Sequence, residues 1–158
     1  MKRLAENVQI RPMTAADLTA VMEIAASLPE APNWHESAYL DAMNRGSTPS
    51  RIALVAVGPR PEDVLGFTVA SLLPQQAELE SIAVNAGSHR LGLGRMLFEA
   101  LANQLHATGV FEIVLEVRAS NRAAIAFYRS AGFGQTGLRR AYYADPIEDA
   151  VLMRVLLS

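Results

Sequence analysis

The sequence predicts an α/β fold: one domain over residues 1–158, with a mixed central sheet of about six to seven strands and about four flanking helices. Three observations carry that reading. Turn-rich connections join neighbouring strand-like runs in the first half, whereas strands alternate with amphipathic helices in the second. The length of 158 residues suits a single core, and 51% hydrophobic against 19% charged residues is enough apolar surface to offset chain entropy.

Val8-Gln9-Ile10-Arg11 alternates apolar and polar residues as a strand does, and Pro12 ends it. Thr14 is an N-cap candidate for a helix carrying Leu18, Val21, Met22 and Ala25 on one stripe. Pro29 and Pro32 break that helix, and Trp34 to Met43 reads as a second, shorter one before a turn at Gly46 to Ser50. Arg51 to Val57 and Val64 to Leu73 flank Gly58-Pro59-Arg60-Pro61-Glu62-Asp63, which predicts an antiparallel hairpin. Ala77 to Val84 is the next strand. A polar loop then leads through Gly92-Leu93-Gly94 into a helix with Leu93, Leu97, Leu101 and Leu105 in register, ending near Gly109. Phe111 to Val117 is a β-branched strand, Asn121 caps a helix reaching Ser130, and Gly132 lies beyond its end. Strands around Phe133 to Leu138 and Ala150 to Leu156 close the chain.

Several function classes are disfavoured at once. Fourteen basic against sixteen acidic residues give a net charge of −2, so binding nucleic acid through bulk positive charge is not expected. Without cysteine there is no disulfide, thiolate metal site or cysteine nucleophile, and His35, His89 and His106 are too scattered to suggest a metal centre. Met1-Lys2-Arg3 leads into no apolar segment, so no secretory signal is expected and the cytoplasm is the expected compartment. Apolar runs such as Ile52 to Val57 fall far short of the ~20 residues that span a bilayer, so no membrane role is expected.

Three constellations could carry chemistry. His89-Arg90-Leu91-Gly92-Leu93-Gly94, followed by Arg95, lies where a loop enters a helix. Its backbone N–H groups and two guanidiniums could receive a pyrophosphate, or the glycines could simply serve a tight turn. On Phe111 to Val117, Glu116 shares a face with Glu112, Val114 and Arg118; it is either a general base among apolar neighbours or a surface carboxylate paired with Arg118. Asn121 and Tyr128 stand seven positions apart, about 10.5 Å along one helical stripe, with the small Ala124 between them. A slender ligand could touch both, or Asn121 could only cap and Tyr128 only pack.

Together these residues resemble the GNAT superfamily of N-acetyltransferases, and within it the RimI-type ribosomal-protein-alanine N-acetyltransferases. The likeness rests on Ile82-Ala83-Val84, Arg90…Gly92-x-Gly94, and the run Leu115-Glu116-Val117-Arg118, Ser120-Asn121, Ala124-Ile125, Phe127-Tyr128, Gly132-Phe133. It continues through Arg139-Arg140-x-Tyr142-Tyr143 and Glu148-Asp149-Ala150. Pro32-Asn33-Trp34-His35 is similar to a Pro-Trp-Ser segment of these enzymes, with an inserted Asn33.

The resemblance implies acetyl-CoA as donor and no metal. It implies cofactor binding by Ala83, Val84, His89, Arg90, Leu91, Gly92, Leu93, Gly94, Arg95, Asn121, Ala124 and Tyr128. It implies Glu116 as the base, the Val84 backbone N–H as oxyanion donor and Tyr128 as the acid that protonates the leaving thiolate. Glu78 and Glu80 are alternative bases, and Tyr142, Tyr143 and Trp34 could flank the acceptor. The expected acceptor is a protein N-terminus, with a ribosomal protein as the leading case. The alternatives are a small amine such as a polyamine, aminoglycoside or amino acid, or a non-catalytic acyl-CoA-binding module.

Overall fold

A computed structural model describes residues 7–28, 34–44, 46, 48, 50–88 and 92–158. Its elements are β1 (Gln9–Pro12), α1 (Leu18–Ser27), α2 (Glu36–Met43), β2 (Arg51–Val57), β3 (Val64–Leu73), β4 (Gln76–Val84), α3 (Leu93–Ala107), β5 (Glu112–Arg118), α4 (Arg122–Ser130), β6 (Gly134–Tyr143) and β7 (Glu148–Leu156). The order matches the sequence expectation, and among the described residues four helices flank a seven-stranded mixed sheet, β1-β2-β3-β4-β5-β7-β6. The differences are local. Thr14 caps a short 3₁₀ turn, Ala15–Asp17, that feeds α1, and Asp17 returns a carboxylate to the Thr14 N–H at 2.8 Å. On α1, Ile24 joins Leu18, Val21 and Ala25 in the interior, while Met22 only borders it. Strand β6 runs on to Tyr143, because β7 continues to pair with it beyond Leu138.

Two apolar layers cover the sheet, one on each face. The four α3 leucines, at most 1% exposed, pack on Leu54, Ala56, Ala70, Ala77, Leu79, Ile113 and Leu115. On the opposite face α1 and α2 pack on Ala53, Val55, Val57, Phe67 and Val69. Central strands β2 and β3 are thus buried on both sides, which explains their near-continuous apolar sequence.

The feature that makes room for a site is a break in the middle of the sheet. Strands β4 and β5 run parallel but pair only at Gln76↔Glu112, Ala77↔Ile113 and Glu78↔Val114. Beyond Glu78 each strand continues without the other. An extra residue in β4 accompanies the parting: Val69 pairs with Ser81 and Ala70 with Leu79, leaving Glu80 as a bulge. The insertion reverses which face each side chain reaches. Ala77 and Leu79 point to the α3 layer before the bulge, and Ala83 points to the α1–α2 layer after it. Ile82 and Val84 therefore turn to the α3 side, while Glu80 reaches Arg51 on the other at 2.8 Å.

Candidate active site

A cavity of about 1000 Å³ runs through the gap between β4 and β5, bounded by the end of β4, the start of α3, the end of β5 and one side of α4. Its two ends differ in chemistry. Ile113, Leu115 and Val117 of β5 belong to the α3 layer, so alternation turns Glu116 and Arg118 to the α1–α2 face. Tyr128 packs with Phe127 and Phe133 against the α3 layer. A carboxylate and a phenol thus border the same opening from opposite faces of the sheet.

On the α3 face the walls are mostly backbone, alanine and glycine. The Asn85 N–H donates to the Leu65 carbonyl at 2.7 Å, an inter-strand bond that fixes the alternation of β4. In that phase Ala83 turns its backbone groups to β3, and Val84 turns its own toward the gap. Ala83, buried in the α1–α2 layer, also borders the cavity. Gly92 is the α3 N-cap with φ 77°, a left-handed conformation, and a side chain built there would meet nothing within 4 Å. Gly94 has a packing reason as well, since an added Cβ would lie 3.1 Å from the Phe127 ring. Leu93 is 1% exposed and faces the core, so only its backbone is available to a ligand. Asn121 caps α4 by accepting the Ala124 N–H at 3.1 Å, and both residues line the cavity with Tyr128. His89, Arg90 and Leu91 lie outside the described residues, as do Pro32 and Asn33.

Arg95 lines the cavity, but its guanidinium is engaged: Nε is 3.1 Å from Glu99 and Nη1 donates to the Ser130 carbonyl at 2.8 Å. It ties α3 to the end of α4 as well as bringing charge to the opening.

The α1–α2 face is charged and aromatic. The pairing of Glu116 with Arg118 considered from sequence does not occur. Glu116 lies 3.7 Å from Arg139 Nε, and Arg118 instead pairs with Glu148 at 3.3 Å. Arg139 also stacks 5.4 Å from the centre of the Tyr142 ring, and Glu116 raises the Tyr142 phenol, by hydrogen bonding first and by charge second. Glu78 and Glu80 share this face as expected. Burial pushes the Glu78 carboxyl up, the Glu80 and Glu116 carboxylates add to the rise, and Arg139 and Arg51 partly offset it. Tyr143 lines the cavity, whereas Tyr142 is half exposed at its rim. Trp34 is placed elsewhere: it packs 5.2 Å from Tyr39 and lines a separate cavity of about 350 Å³ with His35, Ala38, Asp41 and Arg51.

Desolvation raises the Tyr128 phenol to about 12, with a smaller contribution from Tyr143, so it keeps its proton at neutral pH. Sequence reasoning gave no role to Arg139 or Glu148, and to Arg118 only that of a partner for Glu116. Arg139 and Glu148 stood inside the resembling motifs, but only strand pairing across β7 reveals what they touch.

The profile of the Acetyltransferase (GNAT) family matches residues 18–133. The chain belongs to that family. It is 36% identical over 148 residues to the [ribosomal protein bS18]-alanine N-acetyltransferase of Salmonella typhimurium, covering 92% of this chain and 95% of that one. The Escherichia coli protein of the same name is 36% identical over 151 residues, covering 94% and 97%. Among solved structures, the E. coli ribosomal-protein-S18-alanine N-acetyltransferase superposes with a TM-score of 0.81 at 33% identity, over 96% of this chain and 94% of that one. Ard1 from Thermoplasma volcanium gives 0.83 at 27% identity, over 96% and 99%. The protein is thus an acetyl-CoA-dependent N-acetyltransferase of the GNAT family. Its cavity fits that donor: the glycine-marked N-terminus of α3 suits a pyrophosphate, and the Asn121–Ala124 side of α4 suits a narrow arm. No helix among the described residues is long and apolar enough to cross a membrane.

Proposed function

We propose that the acceptor is the α-amine of a protein N-terminus, with an alanine-starting ribosomal protein as the physiological case. The named reaction of the two bacterial relatives, which match over nearly their whole length, supports this reading. One arrangement carries it: Glu116 and Tyr128 border the same β4–β5 opening from opposite faces.

Acetyl-CoA supplies the activated acyl carbon when it is bound. An α-ammonium, with an ordinary pKa of about 7.7–8.0 against about 10.4 for lysine, yields its proton readily to one carboxylate. Glu116 collects that proton and frees the lone pair for direct attack. The Val84 N–H is directed toward the gap, where it can donate to the oxygen that gains charge during attack. Tyr128, held protonated by its desolvation, delivers a proton to the departing thiolate. Tyr142 and Tyr143 flank the incoming backbone, and no covalent enzyme intermediate is needed.

The test incubates the protein with acetyl-CoA and a panel of N-terminal peptides, lysine peptides and small amines while free thiol is followed. Release with Ala- or Ser-starting peptides is expected. Release with small amines alone would overturn the acceptor assignment, and binding without turnover would overturn catalysis.

A further inference from the structure

The β6–β7 turn carries Tyr143 into the cavity wall, yet regular pairing contributes little to holding it there. The β6 register with β7 jumps from Arg139↔Ala150 to Tyr143↔Glu148, so Arg140, Ala141 and Tyr142 have no partner in the ladder. Ala141 takes φ 52°, and its N–H is held by Asp149 at 2.9 Å. The turn itself is exposed, with Ile147 at 78%.

Beyond the Tyr143↔Glu148 pair and the Asp149 contact, one guanidinium ties the turn to the end of β5. Arg118, at the end of β5, donates to the Ala144 carbonyl at 3.2 Å, to the Pro146 carbonyl at 3.3 Å and to Glu148 at 3.3 Å. Its Cζ lies 4.4 Å from the centre of the Tyr143 ring. Glu148 completes the tie by accepting the Ser120 N–H at 2.7 Å, next to the residue that caps α4. Only a planar fork with five N–H donors can serve two carbonyls and a carboxylate while stacking on a ring.

We propose that Arg118 and Glu148 are positioning residues that lash the β6–β7 turn to the end of β5, and so hold Tyr143 at the acceptor entrance. The idea rests on the acceptor side assigned above but not on which amine is used. Arg118 acts through Tyr143 and the turn carbonyls, so its loss weakens acceptor capture more than the chemical step.

Arg118→Gln, Arg118→Lys and Glu148→Gln test this in two ways. In the protein without acceptor, amide hydrogen exchange over 141–148 should rise about tenfold in Arg118→Gln, with α3 unchanged. With the best-used amine of the panel, KM for the acceptor should rise about tenfold while kcat falls less than about threefold, and acetyl-CoA affinity by calorimetry should stay within about twofold. Arg118→Lys should recover only part of the loss, because an ammonium cannot fork. Unchanged exchange over 141–148 overturns the lash, and faster exchange with unchanged acceptor KM overturns its role in capture. If the wild type uses only small amines, the α-amine assignment fails, while the Arg118 comparison is still read with those amines.

Discussion

The two faces of the sheet at the β4–β5 gap are built from different materials. On the α3 face the cavity wall combines backbone, glycine, alanine and the capped start of α4 with Arg95 and the Phe127 and Tyr128 rings. On the α1–α2 face it is Glu116, Arg118 and Tyr143, with Arg139 and Tyr142 around them in an ion pair and ring contacts and the Glu78 carboxyl nearby. The first kind of wall is set by local chain geometry and tolerates little change. The second is set by long side chains from separate strands, so on the proposed assignment of the two faces it can be re-specified for a new acceptor without disturbing the donor.

Substitutions on each face can break or sharpen that contrast. The largest effect is expected for Glu116→Gln, which should lower kcat/KM by about 10²–10⁴-fold and move the pH optimum upward. An unaltered pH profile would transfer the base to Glu78 or Glu80. Tyr128→Phe keeps the ring packing on Phe127 and Phe133 and removes only the hydroxyl that carries the proton; turnover should fall by about 10–100-fold with acetyl-CoA affinity nearly constant. An unchanged rate would end its acid role.

Gly94→Val probes the donor face without touching a titrating group. Its Cβ would lie 3.1 Å from Phe127, so α3 and α4 must separate, at a cost of about 1–3 kcal/mol in unfolding free energy and with weaker acetyl-CoA binding. Undiminished affinity would show that the cavity does not depend on that helix contact.

The smallest effect is expected at Glu78. Burial, then Glu80 and Glu116, raise its carboxyl above the ordinary 4.5, so the fold favours its neutral form. That preference contributes fully below the unfolded value and is lost as pH rises through the folded one. Glu78→Gln should therefore raise Tm at neutral pH by about 1–3 °C, with the gain vanishing below the ordinary value. A lower Tm at neutral pH would mean that the carboxylate is a stabilising partner of Arg139 or Arg51.

How much of this was legible in sequence follows the same division. The α3 leucine stripe, the Asn121 cap and the glycine at the start of α3 are consequences of spacing within one element, and each stands where the sequence placed it. The partners of Glu116 were not legible. Arg118 is two residues away on the same strand face, but two carbonyls of the β6–β7 turn and Glu148 at the start of β7 claim its donors, and Glu116 is met instead by Arg139 from across β7. Trp34, which could form an acceptor wall or pack in the core, packs on Tyr39 because that ring lies in the adjacent core layer. The reversal of β4 at Glu80 was invisible for a related reason: a bulge is defined by its count against β3, not by residue type.

That bulge stores information in length and not in chemistry. Many side chains could stand at Glu80, but the spacer itself cannot be dispensed with. Excising one codon there would let β4 alternate without interruption, leaving Ile82 and Val84 on the α3 side and Ala83 on the other, but would remove the extra residue that accompanies the parting of β4 from β5. The strand would lose the bend that the spacer gives it and the passage would narrow, even though every motif could still be read in the translated chain.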